Sequence, residues 1–305
     1  MEFRELNYIY TIAKCGSLSK AAKELYMAQS SLSQFLKNFE ERFGEPLFFR
    51  TNQGLKPTYA GELHVEMIEK IRLLQRDMEQ RLHDASFLRE GRVVFALSPY
   101  RAPYLLPDVL PRFKERYPGI KVEIVEASMR EQEGLLLGGR VDVGFLSPPL
   151  KNSGITLKPV IDEEILLAGH EKFRLAGKAR PSGMAGRPWI DVRDVMEEPY
   201  LLYSVDHRLR RFTEMLFMKN KCEPQTVQYH DSFETIIRLA EVGMGLTFLP
   251  ETYIGRQSAL TYFAIGEQGE CRTLALGFPP YGYISKATRA FADIVMEAVR
   301  DQKRD

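Results

Sequence analysis

Gln29, Ser30, Ser33, Gln34 and Lys37 fall on one side of a helical run and offer short amide, hydroxyl and ammonium groups. Carried on the first turns of a helix whose end lies in a major groove, such groups meet base edges and phosphates. A glutamine amide pairs best with adenine, and a lysine acts on phosphate as a point charge. Arg50, Thr51 and Lys56 follow, on either side of Asn52-Gln53-Gly54, a sequence suited to a turn between two short strands. The chemistry these residues support is contact with double-stranded DNA. The bland alternative is a solvated polar face, which most amphipathic helices have, so the flanking elements must decide.

Two apolar stripes would hold the first set in place. Leu18, Ala21, Ala22 and Leu25 lie three or four apart; after Tyr26-Met27-Ala28 the pattern restarts with Leu32, Phe35, Leu36 and Phe39. A short helix, a tight turn and a longer helix packed across it make a helix-turn-helix. Before it, FRELNYIYTIAKCG reads as a helix with Leu6, Ile9, Tyr10 and Ala13 inward and Gly16 as its stop. After it, two short apolar strands put Arg50, Thr51 and Lys56 at the rim of a wing. Ala28 cannot cap the second helix, and losing such a cap costs about 1 kcal/mol unless Ser30 or Ser31 substitutes.

The remaining chain alternates its patterns. From Tyr59 to Phe87 there is no proline, and Leu63, Met67, Ile71, Leu74, Met78 and Leu82 recur in steps of four and three between charged faces. This heptad-like seam suits a helix that pairs with its own copy, the alternative being a helix packed on its own domain. Beyond Arg89-Glu90-Gly91-Arg92, Val93–Leu97, Lys121–Val125 and Val141–Leu146 read as strands, with helices at Leu105–Tyr117 and Met129–Leu137, an order that implies a parallel sheet. Glu164–Ala168, Tyr200–Tyr203, Gln225–Tyr229, Leu246–Leu249 and Arg272–Gly277 follow as strands, with helices at Leu209–Lys219, Phe233–Val242 and Lys286–Arg300. Gly177–Val195, rich in Gly, Pro and Arg, reads as a surface excursion.

Ligands of parallel sheets collect beyond the carboxyl ends of the strands, against helix N-termini. Ser98, Tyr100 and Arg101 follow the first strand directly; Ser128, Ser147, Tyr203, Ser204 and Thr247 sit at later strand ends, and Asp206-His207-Arg208 precedes a helix. The competing reading is that the serines cap helices and the arginines form surface ion pairs.

Composition excludes several classes. The chain has 305 residues, 44% hydrophobic and 27% charged, with a formal net charge of +1. That describes an ordinary soluble protein of two or three folding units, with at most a local basic footprint. No apolar run of about eighteen residues predicts a membrane span, and MEFRELNYIY lacks a signal-sequence pattern, so a cytoplasmic location is expected. Cys15, Cys222 and Cys271 are far apart and the five histidines show no ligand spacing, so neither metal nor cofactor is expected. Gly243-Met244-Gly245 follows a helix and precedes a strand, the reverse of a nucleotide-binding turn. GxSxG, HExxH and Walker A patterns are missing, and no catalytic residue is assigned.

Residues 1–61 resemble the winged helix-turn-helix of LysR-type transcriptional regulators. The resemblance rests on Gly16-Ser17-Leu18, Ala21-Ala22, Gln29, Leu32-Ser33, Phe39-Glu40, Pro46-Leu47-Phe48, Arg50 and Thr58-x-Ala60-Gly61. The family's Ser-Gln-Pro is Ala28-Gln29-Ser30 here, and its frequent Arg after Leu-Ser is Gln34, so the operator of a relative does not carry over. Residues 91–305 resemble the effector domain of the same regulators. The resemblance implies an N-terminal all-α winged helix-turn-helix (1–58), a dimerising linker helix (59–89) and a two-lobed, periplasmic-binding-protein-like α/β effector domain (90–305). Its first lobe would hold 90–161 and 267–305, and its second 162–266. It further implies a dimer or tetramer acting on operator DNA, with a small, often anionic effector in the inter-lobe cleft. The alternatives are a cytosolic solute-binding module or an enzyme whose N-terminal helices mediate protein contacts.

Overall fold

The computed structural model describes residues 3–51, 54–84, 91–152, 154–183, 186–204, 208–224, 226–254, 259–280 and 282–302. The chain divides into two compact units, Met1–Arg81 and Leu82–Asp305.

In the first unit α1 (Phe3–Cys15), α2 (Leu18–Glu24) and α3 (Gln29–Phe43) precede a hairpin of β1 (Phe48–Thr51) and β2 (Gly54–Pro57); α4 (Tyr59–Asp84) follows. The core gathers Leu6, Ile9, Ile12, Ala21, Ala22, Leu32, Leu36, Phe39, Leu47, Phe48 and Ile68. Ile12, rather than Tyr10, completes the buried stripe of α1; Tyr10 is half-buried, with the Arg72 guanidinium 4.6 Å from its ring centroid. Ser17 caps α2, and Gly16 ends α1 in the left-handed region with its carbonyl accepting from the Leu55 amide at 2.7 Å. This ties the wing to the first turn of the motif. Glu40 serves the other side: its Oε1 accepts from the amides of Leu47 and Phe48 at 2.7 and 3.2 Å. Gly61 is required by close approach, since a Cβ there would lie 2.0 Å from the Leu47 carbonyl oxygen.

Along α4 the expected seam divides. Ile71 packs on the core beside Ile68, while Leu63, Met67, Leu74, Met78 and Leu82 remain exposed within the chain.

The second unit opens with β3 (Gly91–Leu97), α5 (Ala102–Arg116), β4 (Ile120–Glu126), α6 (Met129–Leu137) and β5 (Val143–Leu146). As the alternation predicts, β3 pairs in parallel with both β4 and β5. Then come β6 (Thr156–His170), α7 (Leu175–Lys178), β7 (Trp189–Ile190), β8 (Pro199–Tyr203), α8 (Arg208–Lys219), β9 (Thr226–His230), α9 (Phe233–Glu241) and β10 (Thr247–Pro250). β11 (Leu260–Ile265), β12 (Glu270–Phe278) and α10 (Lys286–Gln302) complete the chain. The main sheet runs β4-β3-β5-β12-β6-β11-β7, with β10 also on β6, while β8 and β9 form a separate parallel pair.

Two apolar cores share the long strands β6 and β12. Val160, Leu274 and Leu276 belong to the core under α5 and α10, whereas Ile165, Leu167 and Ala168 belong to the core of α8 and α9. The strands therefore pass from one core to the other around Glu163 and Arg272, with Leu274 and Leu276 back in the first core. β11 has no counterpart among the strands expected from the sequence. The stretch read as an excursion contributes β7, which pairs with β11 at the sheet's edge, and Arg180 covers the Trp189 ring at 4.6 Å. Met184 and Ala185 lie outside the described residues, as do Asn52-Gln53 of the wing turn and His207.

Candidate functional site

The face of α3 expected to read DNA is open. Gln29, Ser30, Gln34 and Lys37 are exposed and Ser33 is half-buried, while Leu32, Leu36 and Phe39 anchor the opposite side. Gln34 donates to Asn38 Oδ1 at 2.8 Å, which orients its amide along the helix, and Lys37 stands 3.7 Å from Glu41 in a solvent-screened pair. Ala28 makes no side-chain cap and the first turn holds no acidic residue. The positive end of the helix is therefore left unneutralised, complementary to phosphate.

The wing departs from expectation in detail. Pairing of Phe49 with Lys56 and of Arg50 with Leu55 puts Arg50 and Lys56 on opposite faces of the ribbon, because cross-strand partners share a face and neighbours alternate. Both cations are exposed. Thr51 is engaged locally: its hydroxyl donates to the Gly54 carbonyl at 2.9 Å and holds the hairpin closed.

In the second unit a cavity of about 550 Å³ opens at the strand ends, lined by Ser98, Tyr100, Arg101, Ser128, Ser147, Ser204 and Arg208 among others. Seven of the nine anticipated residues thus meet in one place. Tyr203 and Thr247 do not line it. Both are fully buried in the second lobe, where the Tyr203 hydroxyl donates to the Phe248 carbonyl at 3.3 Å. Tyr203 and Thr247 lie within strands whose residues there are buried on both faces, whereas Ser204 has already left β8.

Arg101 is not a free cation. Its Nη1 and Nη2 donate to Glu163 Oε1 and Oε2 at 2.7 and 2.8 Å, and Nη1 also reaches Thr252 Oγ1 at 3.2 Å. Arg272 donates to the same carboxylate from Nε and Nη2, at 3.0 and 2.8 Å, and Thr252 donates to it at 2.7 Å. Burial alone would raise the Glu163 carboxyl, but Arg101 and Arg272 outweigh it and hold the group down to about 2. Two guanidinium groups share one carboxylate, which leaves a surplus positive charge behind the cavity wall. The Tyr100 phenol registers it: burial pushes against ionisation, yet Arg272 and Arg101 bring the group below its ordinary value.

Arg208 is half-buried and bonds to the Pro149 carbonyl; desolvation, then the like charge of Arg211, lowers its affinity for protons. Ser128 forms a capping box with Glu131, its amide donating to Glu131 Oε2 at 2.8 Å and its hydroxyl accepting from the Glu131 amide at 3.4 Å. The helix-capping role weighed for this serine is therefore real, and it coexists with a place on the cavity wall. Sequence reading misses Glu163, Thr252 and Arg272, as it does Gln132, which lines the cavity. For Glu163 and Arg272 the sequence signal is a charge inside a strand; Thr252 and Gln132 carry none.

Among the described residues no cluster of His, Cys, Asp or Glu could hold a metal ion, and no helix is long and apolar enough to cross a membrane. Among the described residues Cys15, Cys222 and Cys271 form no disulfide.

Comparison with known proteins identifies the family of both parts of the chain. Residues 3–62 match the family described as bacterial regulatory helix-turn-helix protein, lysR family, and residues 88–300 match the LysR substrate binding domain. An uncharacterised HTH-type transcriptional regulator of Bacillus subtilis (strain 168), YcgK, is 26% identical over 98% of this chain and 95% of its own length. The HTH-type transcriptional regulator AlsR of the same organism is 26% identical over 83% of this chain and 81% of its own. Among solved structures, a full-length OxyR variant from Pseudomonas aeruginosa has this fold with a TM-score of 0.72 at 20% identity, covering 98% of this chain and 95% of that one. Full-length CbnR complexed with its target DNA gives 0.55 at 22%, covering 98% and 99%. The chain belongs to the LysR family and is a LysR-type DNA-binding transcriptional regulator.

Proposed function

We propose that two copies of the chain pair along α4 and present two α3 helices to a partly palindromic operator, and that a small anion-bearing effector in the cavity biases which arrangement on DNA is favoured. The observation that carries this reading is the open, uncapped face of α3, with Gln29, Ser30, Ser33, Gln34 and Lys37 turned outward. Arg50 and Lys56 of the wing add phosphate contacts, and Thr51 keeps their hairpin closed. Leu63, Met67, Leu74, Met78 and Leu82 form an apolar stripe on α4 that a second copy would bury, and Ile71 joins it to the core of its own module. Two-fold symmetry in the protein then matches dyad symmetry in the DNA, and CbnR, solved on its target DNA, offers the parallel. Pairing of dimers into a tetramer would allow two such sites to be read together.

The anionic character of the effector is supported by the two guanidinium groups of Arg101 and Arg272 on the single Glu163 carboxylate and by Arg208 on the cavity wall, set against Glu126, Glu131 and Asp231, which also line it. The hydroxyls of Ser98, Ser128, Ser147 and Ser204 add hydrogen-bonding partners. Such a ligand shifts the regulator only by its differential affinity for two lobe arrangements. The protein acts by binding rather than by catalysis, without metal or cofactor, in the cytoplasm where the DNA is.

Selection of duplexes from a random-sequence pool, followed by gel shift with unrelated competitor DNA, tests the reading. A selected duplex that resists competition supports it. A protein that shifts every duplex alike, or none, contradicts it.

A further inference from the structure

Tyr26 occupies the residue just past the end of α2, at φ 54°. Its amide donates to the Lys23 carbonyl at 3.2 Å and the Met27 amide donates to the Ala22 carbonyl at 3.0 Å, the paired bonds of a Schellman helix stop. Glycine takes that position without strain, and a residue with a Cβ does not. Arg174 and Lys221 also have positive φ, at 51° each, but theirs are charged side chains that water solvates well. Tyr26 is different. Its side chain is 97% exposed, so an aromatic ring stands in solvent on a strained backbone with almost no packing to offset either cost.

The location gives the exception a purpose. Tyr26 precedes the uncapped N-terminus of α3 and follows the exposed Lys20 and Lys23 of α2. When the start of a recognition helix sits in a major groove, the preceding helix crosses the sugar–phosphate backbone at the groove's edge. The turn between them lies against the same backbone.

We propose that Tyr26 is a DNA-backbone contact, its phenolic hydroxyl donating to a phosphodiester oxygen beside the groove read by α3 and its ring lying on the adjoining deoxyribose. The inference rests on DNA binding through α3. Because the donor is neutral, it displaces no counterion, so it strengthens binding to every sequence without steepening the salt dependence. That separates it from Lys56.

Tyr26→Gly and Tyr26→Phe in the full chain test this, using a duplex selected from a random pool and an unrelated duplex. Tyr26→Gly should melt at or above the parent's temperature while binding both duplexes about tenfold more weakly per half-site, the worth of one hydrogen bond to a charged group. The slope of log affinity against log salt should not change, and Tyr26→Phe should show most of the loss. Unchanged affinity for both duplexes overturns the proposal, and so does a loss confined to the selected duplex, which would make Tyr26 a base reader. If Tyr26→Gly melts lower than the parent, Tyr26→Asn, which tolerates the left-handed region, is judged with Tyr26→Phe by the same affinities. A parent chain that shifts neither duplex sinks DNA binding itself, a distinct result.

Discussion

Arg101 and Glu163 meet through two parallel hydrogen bonds of 2.7 and 2.8 Å, with both side chains buried. Arg101 follows β3 of the first lobe, and Glu163 sits on β6 where that strand passes from one core to the other. A contact nearby reinforces the junction, the Tyr253 hydroxyl donating to the Tyr100 carbonyl at 2.8 Å. The cavity wall and the crossing between lobes are thus built from the same few side chains. A ligand that disturbs Arg101 or Tyr100 disturbs the crossing as well.

Glu163→Gln should be severely destabilising. It leaves Arg101 and Arg272 buried without their carboxylate, and removing one partner of a buried ion pair costs about 3–5 kcal/mol. Urea unfolding of the variant and parent measures the difference; a change below about 1 kcal/mol, the worth of an exposed pair, would contradict the structural role given to the cluster.

The same group gives the protein an acid limit. Arg101 and Arg272 hold the folded Glu163 carboxyl down to about 2 against an ordinary 4.5. Between those values the unfolded chain binds more protons than the folded one, so the carboxylate's contribution is fully present above about pH 4.5 and is lost as pH falls toward 2. Melting temperature followed from pH 6 down to about 3 should fall more steeply for the parent than for Glu163→Gln. Parallel curves would contradict the account.

Lys56→Ala and Gln29→Ala should fail in different ways. Lys56→Ala should weaken binding to all sequences and flatten the salt slope by about one unit. Gln29→Ala or Ser33→Ala should instead cost about 1–3 kcal/mol of discrimination between the selected site and single-base variants. Fluorescence anisotropy across a salt series distinguishes the two; identical behaviour would remove the division between wing and recognition helix.

Gly61→Ala should damage the first unit alone. The added methyl would lie 2.0 Å from the Leu47 carbonyl oxygen, so α4 and the residue leading into β1 must part. Overpacking of this kind costs about 1–3 kcal/mol. Hydrogen exchange should show loosened protection in residues 3–57 with the effector lobes unaffected, and a variant with full protection would contradict the close approach.

Local signals made much of this legible in the sequence. α6 runs Met129–Leu137 as anticipated, because Ser128-x-x-Glu131 announces its start and glycine its end. The α2–α3 pair was equally clear, since two apolar stripes and a polar face repeat within a single motif. What stayed hidden depends on partners distant along the chain. Glu163 lies 62 residues from Arg101 and 109 from Arg272, and a glutamate in a strand reads as solvent-facing until both are seen. The sequence predicts β6 only over Glu164–Ala168, because Lys158, Pro159 and Asp162 interrupt its apolar pattern. Pairing with β12 nonetheless holds it extended from Thr156. Composition alone puts Arg50 and Lys56 on one rim, whereas strand register decides which face each takes.

Presentation of the α3 face twice, through the exposed seam of α4, is tested most directly by footprinting the full chain and Leu74→Glu on a selected duplex, with sedimentation of both proteins alongside. The parent should sediment as a dimer or larger assembly and protect two half-sites related by a dyad, and Leu74→Glu should be monomeric and lose that footprint at the same concentration. A monomeric parent protecting a single half-site, or a Leu74→Glu variant that still protects both, would contradict it.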